Sequence, residues 1–362
     1  MSRPDIPAIP GLLRAEDVRA TAVTIAAVQQ RCGAIPWFAG GHVDPWDHVE
    51  CAMALSSAGL HAAAARAYDH LRRTQAPDGS WPAKVVDGVV VNGMRETNQC
   101  AYVAVGVWHH LLVTADEQFA WRMWPTVRRA IEFVVDHQTE RGEIRWCVQE
   151  SERAPDEALL TGSSSTLQAL RCALALADWV GDAQPEWELA AGRLVHVLTT
   201  HPEAFLDKAR YSMDWYYPVL GGAVRGAAAQ ELLRSRWDDF VVPGLGARCV
   251  DDEPWVTGAE TCELVLALDT VDEHEAAVGL LRDMQHLREP NGSYWTGYQF
   301  HERINWPDEH TTWTAAAVVL AVDALARTTP GSGIFRGDAL PHVPDLPDPA
   351  CGCELVGATS ER

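Results

Sequence analysis

The chain has 362 residues and a mass of 39.7 kDa, 47% hydrophobic and 22% charged, a balance that excludes collagen-like, disordered and low-complexity polymers. Fifty Asp and Glu stand against 29 Lys and Arg, a net charge of -21, which repels phosphate backbones and anionic lipid surfaces and makes nucleic acid and membranes poor partners. The longest greasy run, residues 315–322, is far short of the ~20 residues that cross a bilayer. Residues 1–10 lack the apolar stretch of a signal peptide, so a cytoplasmic protein is expected. Nine cysteines, an odd number with Cys51, Cys100, Cys172 and Cys262 inside helical patterns, fit a reducing compartment. Cys351 and Cys353 have no further Cys or His pair nearby to complete a zinc site, and neither metal nor organic cofactor is expected.

Helical periodicity dominates the chain, with strand-like alternation confined to pieces such as residues 85–91. An amphipathic stretch at 15–31 comes first. Segments at 47–60, 96–113, 163–180, 213–222, 258–268 and 309–325 lack a consistently polar face and must be enclosed on all sides, as inner helices are. Between them, 61–74, 116–137, 186–199, 227–240 and 271–286 carry charge stripes and read as outer helices. With 15–31 closing the circle, twelve helices form six hairpins whose inner starts recur every roughly 45 to 70 residues, the mark of a repeat that needs its neighbours. An all-α (α/α)6 toroid over residues 1–330 follows, with a Pro/Gly-rich tail over 331–362 expected to wrap the surface or fray.

Two repeats match residue by residue. Asp44-Pro-Trp46-Asp47-His-Val-Glu50 and Glu253-Pro-Trp255, followed by Glu260-Thr-Cys-Glu263, run acidic-Pro-Trp, then an acid and another three residues on. Asp47 thus corresponds to Glu260, and Glu50 to Glu263. For any one of these acids, helix capping worth ~0.3 to 1 kcal/mol is the simplest role. A second repeated feature is Gln, then Gly, then Trp: Gln75 to Trp81, Gln138 to Trp146 and Gln285 to Trp295. It resembles the Gln/Trp repeat of the squalene-cyclase and protein-prenyltransferase superfamily, which implies the same toroid and leaves the chemistry open.

In such a ring the inner-helix N-termini line one mouth. Glu96, Asn98, Gln99, Asp214, Glu309 and His310 join Asp47, Glu50, Glu260 and Glu263 there, with Trp46, Trp215, Tyr216, Trp255 and Trp295 beside them. Carboxylates accept sugar hydroxyls, and indole faces cover the C–H patches of a pyranose, so an oligo- or polysaccharide is the expected partner. The Asp-x-Asp-Asp acid of a terpene cyclase is missing, and the zinc set of a protein prenyltransferase lacks its Asp-x-Cys partner. An isoprenoid-handling toroid remains the alternative, discriminated by an apolar hollow. A glycoside hydrolase needs two carboxyl groups across the hollow. Asp47 and Glu260 lie on inner helices one position removed around the ring, with axes about 16 Å apart; inward side chains leave roughly 6 to 9 Å, nearer to an inverting than a retaining pair. Glu50 or Glu263 replaces either partner if the helices are rotated differently.

The strings Asp44-Pro-Trp-Asp47-His-Val-Glu50, Leu159 to Ser165, Met213 to Pro218, Pro254 to Glu263 and Tyr294-Trp-Thr-Gly297 resemble an actinobacterial group of methylmannose-polysaccharide hydrolases often labelled prenyltransferase by fold. That resemblance implies an intracellular endo-α-1,4-mannanase that cuts long polymer into primers. Position by position it favours Asp47 and Glu260 as the catalytic carboxyls.

Overall fold

The computed structural model describes residues 5–149 and 157–347. Cys351, Cys353 and the rest of 348–362 lie outside the described residues. The helices are α1 (Ala15–Val28), α2 (Pro45–Ser57), α3 (His61–Thr74), α4 (Thr97–Ala101), α5 (Val103–Thr114), α6 (Glu117–Val135) and α7 (Leu160–Val180). They continue with α8 (Pro185–Thr200), α9 (Ser212–Leu220), α10 (Gly226–Ser235), α11 (Trp237–Phe240), α12 (Gly258–Asp269), α13 (His274–Asp283) and α14 (Thr312–Ala326).

Helices apolar all round are indeed enclosed: every residue of α2 and of α12 is buried. The inner helices touch in the closed order α2, α5, α7, α9, α12, α14 and back to α2. Each packs chiefly against one outer helix, namely α3, α6, α8, α10, α13 and α1 in the same order. An outer helix buries a stripe alone; in α3 this is Ala63, Ala64, Ala67, Tyr68 and Leu71, the spacing of one helical face. This is the six-hairpin toroid, with each inner helix starting at the same mouth.

The glutamine turns act as latches between outer helices. Gln75 Nε2 donates to Gly79 O at 2.8 Å within its own turn and to Thr126 O of α6 at 2.9 Å. Gln138 does the same with Gly142 O and Ala190 O of α8, and Gln29 with Gly33 O and Ala63 O of α3. Gly79 has φ +93, and a Cβ there would lie 2.1 Å from Arg129 O, so only glycine lets the turn dock. Gln285 departs from the pattern: its amide turns back onto Leu281 O. The spacing explains it, four residues from Gln to Gly in the three latches and seven from Gln285 to Gly292.

Three features differ from the sequence reading. The inner segment at 96–113 breaks at Tyr102 into α4 and α5. Short strands line the mouth: β1 (Lys84–Val86) pairs with β2 (Val89–Asn92), in keeping with the alternation at 85–91, whereas the pairing of β3 (Arg95–Glu96) with β4 (Cys147–Val148) lies outside that reading. A five-stranded antiparallel sheet runs in chain order through β5 (Val241–Val242), β6 (Gly246–Arg248), β7 (Trp255–Thr257), β8 (Gly297–Gln299) and β9 (Ile304–Asn305). Finally, residues 329–340 pack across the far end of the ring. Ile334 and Phe335 are buried in the core, Gln168 of α7 donates to Ile334 O at 2.7 Å, and Arg336 pairs with Asp269 of α12. Asp323 of α14 accepts from Thr329 and from Ser57 of α2.

Candidate active site

The two matched repeats place their acids at inner-helix starts, where the exposed N–H groups and the macrodipole favour negative charge. At α2, Asp44 is the N-cap: its Oδ1 accepts from Asp47 N at 2.9 Å, and Pro45 takes the first helical position, where a missing N–H costs nothing. At α12 the approach is different. Thr257, the last residue of β7, precedes the helix with no side-chain cap. Thr261 ties the helix to the sheet instead, accepting from Ala247 N at 2.8 Å and donating to Thr257 O.

One turn in, the second acid of each pair is anchored by tyrosine. Tyr102 donates to Glu50 Oε1 at 3.0 Å. Tyr216 and Tyr217 donate to the two oxygens of Glu263 at 2.5 and 2.6 Å. Trp46 stacks on Tyr102 with ring centroids 3.8 Å apart and lies 6.1 Å from Tyr217, so the two anchored acids share one aromatic floor. Glu50 and Glu263 are 3% and 1% exposed, whereas Asp47 and Glu260 each retain 6%; all four are buried, the first acid of each pair less deeply.

Burial and like charge shape their proton affinities. Burial, then Asp44, Glu50 and Glu263, all push Asp47 well above the usual carboxyl range. Burial lifts Glu50 to about 7 despite the Tyr102 hydroxyl. Glu263 is also raised well above its ordinary value, by burial and Glu50, against the pull of its two tyrosines. Asp44, Asp47, Glu50, Glu260 and Glu263 therefore converge on this mouth, the opposite of the apolar hollow that an isoprenoid would require.

The other expected residues divide. Glu96 sits at the mouth, raised by burial and by Asp44. Gln99 Oε1 beside it is buried without a hydrogen-bond partner, and Asn98 packs next to Gly162 at the start of α7. Trp255 meets Trp306 edge-on at 5.0 Å on the rim, its N–H donating to Trp306 O. Glu309 Oε1 accepts from Trp37 Nε1 at 3.0 Å and from the Thr296 hydroxyl.

Four residues serve elsewhere. Asp214 accepts from the hydroxyl and N–H of Thr161, fixing the start of α7 from α9. Trp215 faces the outer layer, stacked on Phe240 with its N–H donating to Leu232 O of α10. Trp295 donates to Glu289 and packs at a tilt against His310, ring centroids 4.0 Å apart. His310 also lines, with Glu309, a cavity of about 550 Å³ opening against α1. Three residues at the mouth escaped the sequence reading: Tyr102, Trp37 and Cys249, whose thiol is raised by burial and Glu260. Among the described residues, no cluster of three or more His, Cys, Asp or Glu could hold a metal ion, and no helix is long and apolar enough to cross a membrane.

No family model matches the sequence. Among solved structures, a wild-type glycosidase aligns with a TM-score of 0.68 at 15% identity, over 87% of this chain and 97% of that one. A D-mannose isomerase gives 0.62 at 11% identity, over 85% and 96%. A rhamnosidase from Klebsiella oxytoca with rhamnose bound gives 0.60 at 12%, over 88% and 65%. At these identities the likeness is one of fold. The MMP endo-(1,4)-3-O-methyl-alpha-D-mannosidase of Mycolicibacterium hassiacum is 57% identical over 361 residues, 99% of this chain and 98% of that protein. At that identity over nearly the full length of both, the chain belongs to the glycoside hydrolase family of this mannosidase.

Proposed function

We propose that the protein is an endo-acting hydrolase of α-1,4-linked, O-methylated mannan in the cytoplasm, working by inversion with Asp47 as general acid and Glu260 as general base. The observation that carries the assignment is the setting of Asp47 at the start of α2. Burial, and then the neighbouring acids Asp44, Glu50 and Glu263, favour its protonated form, as a group that must give up a proton at neutral pH requires.

In this reading Asp47 donates its proton to the glycosidic oxygen as the bond from that oxygen to the anomeric carbon breaks. Glu260 takes a proton from a water that attacks the anomeric carbon from the opposite face, forming the new C–O bond. The leaving chain departs as an alcohol and the cut sugar as a hemiacetal of inverted configuration. Glu50 and Glu263, held by tyrosines, fix the walls that carry the reacting pair.

The test follows α-1,4-mannooligosaccharides, methylated and unmethylated, by NMR. Internal fragments whose new reducing ends first appear as the β anomer are expected; the α anomer would exclude inversion. A substrate with an activated leaving group separates the roles. It needs no acid, so Asp47→Asn retains turnover on it while Glu260→Gln does not.

A further inference from the structure

Large apolar side chains that face water gather at two places among the described residues. Among the described residues, nine large hydrophobics are exposed, and five of them, Val89, Val90, Val91, Ile304 and Trp306, sit on two outcrops at the rim. The first is the β1–β2 hairpin. Val89, Val90 and Val91 are consecutive and 64%, 54% and 58% exposed; neighbouring strand residues point to opposite faces, so both faces of this ribbon stand in solvent. Its two-residue turn, Asp87 and Gly88, has positive φ at both positions, a geometry that fits the twist of paired strands. Its base is bridged to the chain entering α2: Val43 N donates to Val85 O at 2.7 Å and Val85 N to Val43 O at 2.9 Å, one residue before Asp44. The second outcrop is the β9 edge, with Ile304 and Trp306 50% and 49% exposed. Through β8 it is joined to β7, the strand that runs into α12, and Trp306 O holds the Trp255 N–H.

Each carboxylate-bearing helix thus has its own apolar outcrop, raised above an acidic mouth. Exposed apolar clusters of this kind mark binding surfaces. A plain mannan offers hydroxyls and has little use for three bare valines. A mannan whose hydroxyls are capped as methyl ethers presents an apolar group on each modified sugar, and covering one is worth roughly four-fold in affinity. We infer that the Val89–Val91 hairpin and the Ile304/Trp306 edge are the surfaces that recognise O-methyl groups of the polymer on the two sides of the cut. The inference rests on the function proposed above and adds the residues that set preference for the methylated chain.

The test compares kcat/KM for methylated and unmethylated α-1,4-mannooligosaccharides of equal length. In one variant Val89, Val90 and Val91 are all replaced by Thr, which keeps the β-branched shape; the other is Trp306→Ala. Thermal melting confirms that both variants fold. In each, the methylated-to-unmethylated ratio is expected to fall, about ten-fold for the triple variant. A ratio equal to wild type in both overturns the inference, as does parallel loss on the two substrates. Dissociation of a dimer by the same substitutions with the ratio intact overturns it too, since the valines would then serve a second copy of the chain. Wild-type protein that cleaves neither substrate contradicts the proposed function itself, and this is read before any variant is made.

Discussion

The starts of α2 and α12 share one sequence pattern and are built in two different ways. Both present an acid at the mouth and a tyrosine-held acid one turn deeper. At α2 the cap is itself a carboxylate, Asp44, whose charge is pressed against Asp47. At α12 the corresponding structural work is done by a neutral hydroxyl, Thr261, reaching a strand. A repeat can therefore supply a matched pair of carboxyls on helices that are started in different ways, one of which sets a second carboxylate beside the first.

The comparison breaks first at the pair itself. Asp47→Asn and Glu260→Gln are each expected to lower kcat on natural oligosaccharide about a thousand-fold with unchanged circular dichroism; if both hydrolyse normally, the two starts are mere helix caps. Thr261→Val strands the buried Ala247 N–H and is expected to cost about 1–3 kcal/mol in urea denaturation. Asp44→Asn keeps a good cap and should change stability by no more than about a few tenths of a kcal/mol. It removes a charge that raises Asp47, so the alkaline limb of the kcat profile is expected to move to lower pH. The smallest effect is Glu50→Gln. In the unfolded chain Glu50 ionises near its ordinary value, while the folded protein holds the proton up to about 7. The folded state binds the extra proton in that window, so stability falls as pH rises through it. Removing the group should flatten the decline in Tm between about pH 5 and about pH 8.

The six hairpins were legible because α2 and α12 are apolar all round and so have only one place in a fold. The acid pairs were legible because the Pro-Trp pattern repeats. Tyr102 was not, since residues 96–113 read as one continuous helix, and only the break at that residue shows it turned towards Glu50. The five-stranded sheet escaped because its strands are two or three residues long, too short for alternation to register. The Gln29 latch follows the spacing of Gln138, Gly142 and Trp146 in Gln29, Gly33 and Trp37, a fourth copy open to a reader who searches by interval.

The segment that carries Ile334 and Phe335 across the bottom of the toroid makes the barrel a cul-de-sac. A polysaccharide that dips towards the acids must come back out on the side it entered, lying over the opening as a cord lies over a notch. Scission partway along such a cord needs no free terminus to be threaded, and the severed halves part in opposite directions.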